Sequence, residues 1–158
     1  MTLPRLLLLA ALATSSIAAG PTAPPPAPVE PPSAPPPTSP IGLFAAVEEA
    51  WAGSDADRLA SLVDTTSVRI AIKPGTPVTT APTRVAVAFL LRDQLRLVHT
   101  RSFRMTRFDC DRKRGLCRAI ALWTGDWGGR QGTRAARVTL TAHPGAGRWL
   151  LTEIRVED

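Results

Sequence analysis

Apolar residues recur at helical spacing through the first half of the globular part of this chain and at alternate positions through the second half. That switch restricts the fold to helices gathered around a sheet. Phe44, Val47 and Trp51 share one helical face, with Glu48 and Glu49 turned away from it. Gly53 breaks that helix, and Ser54 with Asp57 three residues on reads as a capping box opening a short second helix that buries Leu59, Leu62 and Val63. Val68, Ile70 and Ile72 then alternate with Arg69, Ala71 and Lys73, the pattern of a half-buried strand. Pro74-Gly75-Thr76-Pro77 ends it. After a loop, Thr83 caps a third helix carrying Val85, Ala88, Phe89, Leu91, Leu95 and Val98.

Everything beyond reads as strands: His99 to Cys110, Cys117 to Trp127, Arg130 to Ala142 and Arg148 to Val156. The turns between them are short, which makes antiparallel neighbours and a four-stranded meander. Alternation breaks twice. Phe103 and Met105 have one parity, Phe108 and Cys110 the other; Trp149 and Leu151 have one, Ile154 and Val156 the other. One extra residue in each strand, a β-bulge, returns all these side chains to a single face and bends the sheet. The expected fold is α+β: three N-terminal helices packed on a strongly curved antiparallel sheet of about five strands, a cystatin-like cone.

That domain occupies residues 41–158. Residues 1–20, with Arg5 ahead of the apolar run Leu6 to Leu12 and a small-residue end at Ala18-Ala19-Gly20, read as a cleavable secretory signal, too short to span a bilayer. Residues 21–40 hold eleven of the sixteen prolines and read as an extended polyproline II spacer. The chain is therefore expected to be exported to the periplasm or the extracellular space. A net charge of +6 would suit nucleic acid, but export removes access to it, leaving a weak attraction to anionic envelope surfaces. Arg101, Arg104, Arg107, Arg112, Arg114 and Arg118 crowd the first hairpin and read as a solvated basic ribbon.

The order helix, helix, strand, helix, four strands resembles the nuclear transport factor two-like superfamily over essentially all of 41–158. Arg101-Ser102-Phe103-Arg104, Arg118-Ala119-Ile120-Ala121 and Gly147-Arg148-Trp149-Leu150-Leu151-Thr152-Glu153-Ile154-Arg155-Val156 are similar to a bacterial exported family of that superfamily with no assigned function. The resemblance implies a cavity between the helices and the concave sheet face, used by some relatives as an isomerase or dehydratase site and by many only for binding or dimerisation. It transfers no active-site residue.

Chemistry is sparse. A site of the ketosteroid isomerase kind needs a tyrosine, and the chain has none. The two histidines are His99, at a helix-to-strand junction where Asp93 is its nearest candidate partner, and His143, read as a solvated turn residue beside Pro144. Zinc-helix, phosphate-loop and nucleophile-elbow motifs are lacking, and no cofactor or metal is expected. Gly125-Asp126-Trp127-Gly128-Gly129 reads as a hairpin tip. Cys110 and Cys117 flank a turn as a cross-strand pair, expected to form a disulfide in an oxidising compartment. Trp51, Phe89, Phe103, Trp123, Trp127 and Trp149 are the candidate pocket or rim residues, with Trp123 and Trp127 near the hairpin tip. The expected role is non-enzymatic binding of a small apolar molecule or a protein partner through the cone or the sheet face. The alternatives are an isomerase or lyase using His99 or a buried carboxylate, and a homodimerising or envelope-structural module.

Overall fold

A computed structural model describes residues 35–158 apart from 67, 82, 112 and 129–131. The expected signal and most of the spacer lie outside the described residues, as do Arg112 and Arg130. Among the described residues three helices and six strands follow in the order α1 (Pro40–Ala52), α2 (Ala56–Ser61), β1 (Val68–Ala71), β2 (Thr79–Ala81), α3 (Arg84–Leu97), β3 (Val98–Asp111), β4 (Leu116–Trp127), β5 (Thr133–Gly145) and β6 (Arg148–Glu157). The strands form one sheet in the order β2-β1-β6-β5-β4-β3.

The meander of β3 to β6 is as the turns imply, but the sheet is mixed, because β1 lies parallel to β6 with Ile70 opposite Ile154. The unforeseen β2 adds a sixth strand antiparallel to β1. It has only three residues and no alternation, so nothing in its sequence separates it from a loop. The helices are not all N-terminal either: α3 follows the β1–β2 hairpin.

α1 begins with Ser39 as N-cap, its hydroxyl accepting from Gly42 N, and Pro40 in the first turn, where no amide donor is missed. It buries Leu43, Phe44, Val47, Ala50 and Trp51. The chain is already tied to the sheet before α1, since Trp149 N donates to Pro37 O at 2.9 Å. α2 is capped by Asp55, which accepts from Arg58 N, and not by Ser54. Ser54 instead takes the left-handed backbone that turns the chain out of α1, with φ 54°. Leu62 and Val63 fall just past α2 and are buried; residues 62–64 run beside Leu151, whose N and O bond Leu62 O and Asp64 N at 2.8 and 2.7 Å.

Register shifts bend the sheet where parity requires. One lies between Met105 and Arg107 in β3, another beside Thr152 in β6. As a result Phe103, Met105, Phe108 and Cys110 all face the inner residues Trp123, Ala121, Ala119 and Cys117 of β4. A third shift, between Thr100 and Ser102, brings Val98 and Thr100 onto the same side. Glu48 is not a solvated residue: its carboxylate accepts from Met105 N at 3.0 Å and pins α1 to β3 at the bulge. The β5–β6 turn is carried by Ala146 and Gly147, both at positive φ (49° and 77°), the combination a type I′ turn needs.

Candidate functional site

The inner sheet face and α1 meet in an aromatic stack. Trp51 lies flat on Phe103 with ring centroids 4.6 Å apart and meets Trp123 edge-on at 5.3 Å; Trp127 tilts against Trp123 at 4.8 Å. All four are buried. Trp123 donates its indole N–H to Thr100 Oγ1 at 3.1 Å, and the Arg134 guanidinium covers the Trp127 ring at 4.5 Å. Trp123 and Trp127 are therefore core and not the rim of an opening. The expected hairpin-tip segment from Gly125 to Trp127 belongs to β4 itself.

Phe89 stands outside this stack. It is 67% exposed, because α3 buries Val87, Ala88, Leu91, Gln94 and Leu95, while Val85 and Phe89 lie one turn apart on the opposite side. The helix carries apolar residues on both faces, and a buried Gln94 on the inward one makes the wrong stripe look the better in sequence.

Trp149 is the candidate residue that lines a mainly apolar pocket. It is partly buried against the core and lines a pocket of about 440 Å³ together with Ile41, Phe108, Leu116, Pro144 and the Cys110–Cys117 disulfide. α1 supplies one wall, the β3–β4 hairpin another, the β5–β6 turn the third. Phe108 meets Phe44 edge-on at 5.5 Å, so the wall is anchored in the core. Asp111, the charged lining residue, is spent on its own turn, accepting from Lys113 N and Arg114 N at 3.0 and 3.2 Å. The size suits a small ligand, and the lining offers mainly apolar contact.

The disulfide joins directly opposed residues of β3 and β4, with Cα atoms 4.1 Å apart. In the chain-entropy picture so small a ring contributes about 2.5 kcal/mol. Replacing both cysteines by serine is expected to lower unfolding stability by about that amount, read as the shift of the urea midpoint at unchanged slope. Because the bridge lines the pocket, the same variant should loosen it.

His99 and Asp93 do not pair. Both are exposed; His99 stands opposite Asp126 across β3–β4, and Asp93 lines a separate groove with Ile70, Ile72, Lys73 and Leu90. Asp126 is held below the ordinary carboxylate range by the Thr133 hydroxyl and by Arg101, whose Nε donates to its oxygens at 3.0 and 2.9 Å. Among the described residues no carboxylate is buried; Gln94 is the buried polar side chain.

His143 is a strand residue and not a solvated turn residue. Its Nε2 lies 2.9 Å from Asp64 Oδ2 and its Nδ1 2.8 Å from Pro144 O, in an arrangement no sequence spacing announces. Both ring nitrogens are engaged, and this pair does not line the Trp149 pocket. Asp64 also accepts from Thr66 Oγ1 and N at 2.7 and 2.9 Å, and the Thr66 bonds, then His143, hold its carboxyl below the usual range. A carboxyl lowered in the folded state stabilises above its unfolded value of about 3.9 and loses that contribution as pH falls through the folded value. Asp64→Asn is accordingly expected to cost about 2 kcal/mol near neutral pH, and the difference from the parent chain to shrink only below about pH 4, in thermal melts across pH.

No protein-family model matches the chain, and no curated protein does. Solved structures do match. A DUF4783 family protein from Bacteroides uniformis has a TM-score of 0.60 at 12% identity, covering 72% of this chain and 94% of that chain. A designed NTF2 protein with a long sheet has a TM-score of 0.57 at 15% identity, covering 75% of this chain and 99% of that chain. A protein of ketosteroid isomerase-like fold from Catenulispora acidiphila, in complex with trimethylamine, has a TM-score of 0.58 at 12% identity, covering 73% and 84%. The fold is nuclear transport factor two-like. At these identities the likeness reaches the fold and no further.

Proposed function

We propose that this is a non-enzymatic binding domain whose site is the apolar pocket between Trp149, Phe108, Leu116 and the disulfide, and that it takes a small apolar molecule or an apolar side chain of a protein partner. The observation carrying this reading is that the concave face is occupied by Trp51, Phe103 and Trp123 packed on one another, while Trp149 stands at an apolar opening of ligand size. Catalysis finds no support: the one hydrogen-bonded histidine–acid pair among the described residues has both ring nitrogens engaged and lies off the pocket. An exported setting fits the disulfide and the apolar leader of residues 1–20.

Anilinonaphthalene sulfonate is a suitable probe. Saturable binding of about one molecule per chain, weakened at least tenfold by Trp149→Ala or by the more exposed Leu116→Asp, is the expected result, with near-ultraviolet circular dichroism confirming the fold. Binding that neither substitution changes would place the site elsewhere.

A further inference from the structure

α3 carries more exposed apolar surface than its role in the core explains. Val85, Phe89 and Leu97 are 79%, 67% and 62% exposed, and Leu90 is 39% exposed. At helical spacing Val85, Phe89, Arg92 and Arg96 form one row along the free side, and Leu90, Asp93 and Leu97 a second beside it. Arg84 opens the helix, and Lys73 lies across a groove from Leu90. The face thus combines four large apolar side chains with four cations. Its anions are few: Asp93, and Asp57, which holds Arg92 at 2.8 Å.

We propose that this face of α3 docks onto an anionic lipid surface. Two arguments select that occupant. The first is charge: arginines long enough to keep their guanidinium groups at headgroup level while their stems and Phe89 sit deeper suit a negatively charged interface. The second is size. A helix of 14 residues is about 21 Å long and about 10 Å wide, a footprint of about 210 Å². That is far below the roughly 800 Å² per partner of a stable protein interface. A helix lying in a lipid interface needs only its own apolar face covered. The other surface rich in cations, the outer sheet face with Arg104, Arg107, Arg118 and Arg137 around Leu122, lacks a comparable apolar set.

The test uses the full chain with vesicles of phosphatidylcholine alone and of phosphatidylcholine with an equal part of phosphatidylglycerol. Co-sedimentation with the anionic vesicles only, weakened by added salt, is the expected result. Phe89→Asp should lower the bound fraction at least tenfold, while Phe89→Trp should keep binding and shift its emission to the blue. Trp149→Ala should bind the vesicles like the parent, which separates this face from the proposed pocket. The inference is overturned if the parent ignores anionic vesicles. It is also overturned if Phe89→Asp binds them unchanged, as it would if the apolar leader were responsible, or if sedimentation shows a dimer that Phe89→Asp dissolves, which would assign the face to a second copy.

Discussion

Replacing Trp51 by alanine should cost 3–5 kcal/mol, about what emptying a buried indole site costs elsewhere, and should unfold much of the population near physiological temperature. Trp51 is fully buried, stacks on Phe103 and meets Trp123 edge-on, so its loss opens the junction between α1 and the sheet. Trp51→Phe should behave differently. The Trp51 indole N–H is buried with no partner among the described residues, so a phenyl ring keeps most of the packing and removes an unsatisfied donor. A cost under about 1.5 kcal/mol is expected for that change. Urea unfolding of the pair separates packing from polarity: equal losses for the two variants would mean that Trp51 is not packed as described.

Gly125→Val is expected to cost about 3 kcal/mol, the upper part of the range for overpacking a tight site. A Cβ there would stand 2.7 Å from Val98 Cγ1 and 3.0 Å from the His99 carbonyl oxygen, and the backbone atom has no room to give. Gly125 lies opposite Thr100, one residue before the first shift in the β3–β4 register, so the strain falls where the ladder is already irregular. Hydrogen exchange should show the amides of the first part of β3 losing protection before those of β5 and β6. Uniform loss across the sheet, or an unchanged midpoint, would contradict this placement.

How far the sequence reaches depends on the kind of signal. Parity along a strand is a hard constraint, because a side chain points to one face or the other, and the reversals at Phe108 and Ile154 correctly announce two of the three register shifts. The third, between Thr100 and Ser102, stays hidden, because Val98 reads as part of the third helix while in the fold it opens β3. The disulfide follows from two cysteines facing across a short turn. What stays hidden is long-range or ambiguous. The parallel contact of β1 with β6 depends on how the helices pack, and the Asp64–His143 pair joins residues 79 apart in the chain. Glu48 looks like a solvated acid until the bulge at Met105 presents a backbone donor to it. Phe89 is misleading because both sides of α3 are apolar. For the site, Trp149 was legible as a candidate, but its pocket needed Ile41 from α1 and Pro144 from the β5–β6 turn, which only folding brings together.

The four indole N–H resonances give the most direct reading of where this domain binds. With the tryptophans assigned, titration with anilinonaphthalene sulfonate should move the Trp149 signal and leave those of Trp51 and Trp123 in place. Movement of Trp51 or Trp123 while Trp149 stays still would put the binding site inside the aromatic stack and contradict the account.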